Sequence, residues 1–401
     1  MFKKIGVIVC VIALSVSFVE AKKKKNLVKH EPLPEIYQTV WEKTFGGNED
    51  DVAQSIVSLT DGESAIAGTC RSFGAQATDI CLMRMDPNGE IEWKLLLGGA
   101  KDEEARQVIK SQDGNLLVFG RSKSYSKNDD FDFYLAKVST QGEKIWEKTF
   151  GGDRDEVAGG IALASDGSMF VVGDSNSYKR KYNDIYIAKL EKNGEMITSY
   201  MIGSKKEDSA QAITRTKDGN MVLVGYRETG RAGDRDFLIM KLDTNGNKIW
   251  SKTYGEYDID RLNSVVATDD GGIVATGSTR SYKSALTDLS VMKLDTNGMM
   301  AWHKIYGFKY YEYGNGVTKL SDGGFMVSGG TSSLGKGDHD LYMLAFDKTG
   351  AITWSHVYGG RDKDSGTGIA QLDDGSVVSV GNTASFGRSK EFYMIKVKKK
   401  P

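Results

Sequence analysis

From Asp51 onward the chain alternates short apolar runs with tight polar turns. One stretch shows the pattern: "VAQSIVSL", then "TDG", "ESAIAGTC", a polar loop, "DICLMRMD", "PNG" and "EIEWKLLLGG". The runs are rich in Val, Ile and aromatics and are bounded by Asp-Gly or Asn-Gly pairs. Such pairs adopt positive φ cheaply and suit tight hairpins. No stretch sustains a helical period. The pattern predicts a unit of four antiparallel strands.

The unit recurs. All six tryptophans, Trp41, Trp93, Trp146, Trp250, Trp302 and Trp354, fall on one ruler of 52 or 53 residues, with Thr198 at the empty mark. Asp-Gly pairs at Asp61, Asp113, Asp166, Asp218, Asp270, Asp322 and Asp374 keep the same spacing. The heptapeptide "WEKTFGG" occurs twice, from Trp41 and from Trp146, two units apart. One four-stranded sheet has two apolar faces and cannot bury both alone, whereas seven sheets packed around an axis bury all of them. The expectation is an all-β, seven-bladed β-propeller over residues 37–400. Its ends are out of phase: "YQTVWEKTF" matches a fourth strand and "EFYMIKVK" a third. The first strand of the propeller should therefore complete the last blade and remove two exposed edges.

These residues resemble the bacterial exported β-propeller repeat family, whose units read W-x-K-T-Y-G-G, D-x-A-x-S-I, D-G-G, G-x-T-x-S and D-x-Y-L-x-K-L-D-x-x-G-N. "WSKTYG" from Trp250, "DVAQSI" from Asp51 and "DFLIMKLDTNGNKIW" from Asp236 carry the match, which extends from Trp41 to Lys398. The D-x-N-G-x-x-x-W element is similar to the tryptophan-docking motif of quinoprotein propellers, with a turn one residue shorter. The resemblance implies the fold and says little about a ligand.

Composition changes the picture at the ends. Lys3 and Lys4, an apolar run from Ile5 to Phe18, and Val19-Glu20-Ala21 read as a signal peptide over residues 1–21, cleaved near Ala21. A basic tail over residues 22–36 follows. The formal net charge is −1, and losing two Lys and one Glu with the leader makes it −2. That balance does not point to nucleic acid. The basic ends, Lys22–Lys25 and Lys396, Lys398, Lys399 and Lys400, could touch anionic lipid peripherally. The expected location is periplasmic or secreted, and the expected state a monomer.

Candidate chemistry is sparse. A group present in every unit does one job seven times, and that job is most simply structural. Two such rings are Asp51, Glu103, Glu156, Asp208, Asp260, Glu312 and Asp364 before the innermost strand, and Asp79, Asp132, Asp184, Asp236, Asp288, Asp340 and Glu391 at the third. The first ring should lie at the channel mouth, as caps for loop amides or as a cation site. The repeat breaks at "YGEYDID" and "YGFKYYEYGNG". There Tyr257, Phe308, Tyr310, Tyr311 and Tyr313, beside Glu256 and Lys309, are expected as exposed aromatics that grip a sugar or peptide. The loops between second and third strands are basic from Arg71 to Arg388. Cys70 and Cys81 flank a hairpin loop and could be bridged; two small buried thiols are the alternative. "GTSSLGKG" lacks the Ser/Thr of a phosphate loop, and no zinc-protease or serine-hydrolase motif occurs. His339 between two Asp is a weak metal candidate. No metal and no cofactor are expected. The leading function is a non-enzymatic binding or scaffolding module for a protein, peptide or glycan on the face carrying the channel mouth. The alternative is a propeller enzyme, either a polysaccharide hydrolase or lyase or a quinone-dependent oxidoreductase.

Overall fold

The computed structural model describes residues 33–177, 181–230, 233–282, 284 and 286–401. The signal peptide read at residues 1–21 and most of the tail at 22–36 lie outside them.

The first unit folds as β2 (Asp51–Ser58), β3 (Ser64–Cys70), β4 (Asp79–Met85) and β5 (Ile91–Leu97), paired in that order as one antiparallel sheet. Six further sheets of four follow, so the described residues form seven blades. The hairpin between the first two strands of each blade turns on the Asp-Gly pair, whose glycine has φ between 77° and 86°. The seventh blade contains β26 (Asp364–Gln371), β27 (Val377–Thr383) and β28 (Glu391–Lys399). Its fourth strand is β1 (Tyr37–Phe45), paired antiparallel with β28 from Tyr37↔Lys399 to Phe45↔Phe392. The propeller is thus closed by its N-terminal strand, as the phase of the ends predicts.

The apolar core is divided into seven wedges, one at each blade junction. Ala65, Leu82 and Ile80 of blade 1 pack with Val118, Tyr134 and Ala136 of blade 2. Phe392 and Met394 of blade 7 pack with Ile66 and Met83 of blade 1. The tryptophan ruler has its explanation here. Each ring on an outer strand lies over the Gly turn of the following blade: a Cβ on Gly142 would sit 2.9 Å from Trp93, and one on Gly298 2.8 Å from Trp250. At the empty mark, Thr198, the hydroxyl of Tyr200 donates to the Gly246 carbonyl, as those of Tyr254 and Tyr306 do to Gly298 and Gly350 beside Trp250 and Trp302. The last tryptophan, Trp354, has no such turn to cover, because blade 7 is joined from two chain ends. Its ring meets Tyr37, the first residue of β1, at 5.2 Å.

Every innermost strand carries a β-bulge at its third residue pair. The residue displaced there turns into the central channel: Gln54, Arg106, Gly159, Gln211, Asn263, Asn315 and Thr367 in blades 1 to 7. Several stitch one blade to the next. Asn263 Nδ2 donates to the Gly314 carbonyl at 2.9 Å, Asn315 Nδ2 to that of Gly366 at 2.8 Å, and Thr367 Oγ1 to that of Ala53 at 2.7 Å.

Candidate functional site

The innermost-strand carboxylates are all fully buried, and none lines the channel. Their oxygens are taken locally. Asp51 accepts the backbone N–H of Gly47, Arg71 and Ser72 at 2.9 to 3.1 Å. Glu156 accepts Ser175 Oγ at 2.7 Å and Ser177 Oγ at 2.8 Å, and Glu312 accepts Phe308 N–H at 2.8 Å and Thr331 Oγ1 at 2.9 Å. In blade 4 an arginine replaces the hydroxyl, and Arg227 ion-pairs with Asp208.

The third-strand carboxylates meet them across blade junctions. A Cβ on Gly98 would be 2.2 Å from Glu103 Oε2 and 2.6 Å from Asp79 Oδ1; one on Gly359 would be 2.4 Å from both Asp340 Oδ1 and Asp364 Oδ2. The glycine of the Y-G-G motif is therefore the space in which two carboxyl groups face each other. Burial pushes Asp79 up to about 6, and Glu103 adds to it. Burial likewise pushes Glu156 up to about 7, with Asp132 adding, and Asp260 to about 6, with Asp236 adding. Like charges this close share protons rather than ionise together.

Cys70 and Cys81 are joined as a disulfide, with Cα atoms 5.9 Å apart. No group of three or more His, Cys, Asp or Glu among the described residues is arranged to hold a metal ion.

What distinguishes the blades is the residue after each innermost-strand carboxylate and its partner on the second strand. The seven pairs are Val52↔Thr69, Glu104↔Arg121, Val157↔Asp174, Ser209↔Tyr226, Arg261↔Ser278, Tyr313↔Gly330 and Ser365↔Asn382. No two are alike. In blades 2 to 4 their charges are consumed internally. Arg121 ion-pairs with Glu104 at 2.7 Å. Asp174 accepts Ser209 Oγ at 2.6 Å and the N–H of Ala210 at 2.8 Å. Burial raises Asp174 to about 7, although these bonds and Arg106 pull it down. Arg106 reaches past Gly159 to donate to its carbonyl at 2.8 Å and to that of Gln211 at 2.6 Å.

Blades 5 and 6 differ. Arg261 has no carboxylate within ion-pair reach among the described residues; it lies 5.6 Å from the ring of Tyr226. Tyr313 lies over Gly330, where a Cβ would come within 2.5 Å of its hydroxyl. Between these two blades opens a cavity of about 400 Å³, lined by Arg261, Arg280, Asn263 and Ser278 on one side and Tyr311, Tyr313, Asn315 and His339 on the other. The His339 ring stacks on Tyr311 at 6.5 Å, and its buried Nδ1 has no hydrogen-bond partner among the described residues.

The aromatic residues singled out by the broken repeat divide into three. Tyr257 is 85% exposed and Tyr310 44%, the latter with Lys309 Nζ 4.9 Å from its ring. They stand on the surface with Glu256. Tyr311, as exposed as Tyr310, and Tyr313, which is partly buried where an exposed ring was expected, both line the cavity. Phe308 departs from the expectation of an exposed ring: it is partly buried and packs against the core between blades 5 and 6. Sequence reading missed Arg261, Asn263, Ser278 and Asn315, and placed Arg280 only in a general basic rim.

No family model matches the chain. The chain is 24% identical to the regulatory protein FlaEY of Caulobacter vibrioides, over 85% of this chain and 37% of that protein. It thus spans little more than a third of the length of that curated relative. Among solved structures it is similar to the Pan2 WD40 domain of Neurospora crassa, with a TM-score of 0.56, 11% identity, and 90% of this chain and 95% of that one covered. It is also similar to Drosophila Plexin A in complex with Semaphorin 1b, with a TM-score of 0.51, 10% identity and coverage of 90% and 88%. These likenesses define the class as a seven-bladed β-propeller. Among the described residues no helix is long and apolar enough to cross a membrane.

Proposed function

We propose that the chain is an exported, non-enzymatic binding or scaffolding propeller that receives a protein, peptide or glycan partner on its loop face at blades 5 and 6. One observation carries the reading: aromatic and cationic groups not consumed by the fold are concentrated at that junction. Tyr257 and Tyr310 stand exposed on adjacent loops, and Arg261 faces an open cavity with no counter-charge among the described residues. Exposed aromatics beside charged groups are the usual anchors of recognition surfaces. Elsewhere around the channel Arg106 donates to two backbone carbonyls, and Asp174 beside it accepts from Ser209 Oγ and the Ala210 N–H. Export, and kinship with the exported repeat family, rest on the leader-like N-terminus and on the repeat motifs. The deciding experiment screens the intact chain against a glycan array and in pull-downs beside a variant carrying Tyr257→Ala and Tyr310→Ala. The expected result is loss of capture in the variant with an unchanged melting curve. Equal capture by both would discard the surface.

A further inference from the structure

The cavity between blades 5 and 6 has a chemistry narrower than a general docking face. Its charged groups are two guanidinium groups, Arg261 and Arg280, with no carboxylate in the wall among the described residues. Arg280 has one remote ion partner, Asp258 at 3.7 Å, with both side chains nearly half exposed. A pair so exposed is weak. Arg261 has none among the described residues. The contrast within the ring is direct, because Arg121 in blade 2 faces a glutamate in register whereas Arg261 faces Ser278. Opposite the cations stand two tyrosine rings and an imidazole, with His339 Nδ1 buried and without a hydrogen-bond partner among the described residues. Guanidinium forks fit a carboxylate bidentately. Flat rings offer an apolar face to the C–H surface of a sugar ring. The innermost strands that flank the cavity are edge strands of their sheets, so an acidic peptide is the competing occupant that the test must exclude.

We infer that this cavity binds an acidic sugar, a hexuronate residue of a glycan, with Arg261 and Arg280 on its carboxylate and Tyr311 against its ring. The inference rests on the binding reading above and names its ligand class.

The test is calorimetric titration of the full chain with galacturonate and glucuronate oligosaccharides, their neutral galactose and glucose counterparts, and a hexaglutamate peptide. The expected order is acidic sugar first, with the neutral sugar and the peptide each weaker by at least about tenfold, the worth of one good charged contact. Arg261→Met should erase the preference for the acid. Tyr311→Ala should weaken acidic and neutral sugars alike. Arg280→Met, on a loop, repeats the first measurement should Arg261→Met fold poorly. Hexaglutamate binding as tightly as the hexuronate overturns the inference in favour of an acidic peptide. So does an acidic sugar whose affinity is indifferent to both arginine substitutions, or the absence of binding at millimolar sugar. If the array partner is still lost with Tyr257→Ala and Tyr310→Ala while no uronate binds, the docking face survives and only the ligand class falls.

Discussion

Blades 2 to 4 and blades 5 and 6 both depart from the repeat, and they do so to opposite effect. On one side of the ring Arg106, Arg121, Glu104 and Asp174 spend their hydrogen-bonding capacity on each other and on neighbouring backbone. On the other, Arg261 and the His339 Nδ1 are left over beside a cavity. A break in symmetry is therefore not in itself a sign of a site. The informative quantity is the polar capacity that remains after the fold has used what it needs.

Substitutions on the two sides should separate cleanly. Asp174→Ala leaves Ser209 and the Ala210 N–H unsatisfied at a blade junction and removes the charge facing Arg106. It should cost about 2–4 kcal/mol in denaturant titration. Binding on the far side of the ring should be unaffected in the fraction that stays folded. A loss of only a few tenths of a kcal/mol would mean that water replaces the bond and that the two sides are less different than they look.

Reduction of the Cys70–Cys81 bridge gives the next effect. It closes a short loop in blade 1, so its loss should cost about 2–3 kcal/mol by loop-closure entropy. Melting with and without reductant measures this, and equal curves would deny the bridge a role.

The paired carboxyls predict a smaller, pH-dependent effect. Asp79, Glu156 and Asp260 are raised in the folded state to about 6, 7 and 6. The folded protein thus binds more protons than the unfolded chain between about pH 4 and pH 7. Stability from these groups is full below the unfolded pKa and is lost as pH rises through the folded values. The melting temperature should be higher at pH 5 than at pH 8, and Glu156→Gln should flatten that slope. A melting temperature that rises toward pH 8 would refute shared protons. Smallest of all, Arg261→Met should change stability by no more than about 0.5 kcal/mol, as expected for a side chain whose internal contact is a distant one with the Tyr226 ring. A large loss would place Arg261 with the structural residues of blades 2 to 4.

The blade count and ring closure were readable because they rest on local chemistry repeated seven times. Trp93 needs a glycine beneath it, and the hairpin turns need φ near 80°, so the residues recur wherever the geometry does. The disulfide was readable as one of two options from the hairpin around it. The cavity was not readable. Arg261, Asn263 and Ser278 look unremarkable along the chain and acquire meaning only in register with Tyr313, Asn315 and His339, on a blade formed by residues some fifty positions later. The bulge adds a second obstacle. By turning Asn263 inward it breaks the strict alternation from which facing directions are read. Aligning the seven units by column would have shown the variable position next to each carboxylate. It would not have shown that Arg121 is neutralised and Arg261 is not.

The seam between β1 and β28 has a temporal meaning as well. Tyr37 to Phe45 are made long before Phe392 to Lys399, in which they find their hydrogen-bond partners. Through synthesis the nascent blades must wait with one strand orphaned and the circle incomplete. The slowest step in acquiring the native state should be this final zipping, which spans nearly the whole sequence.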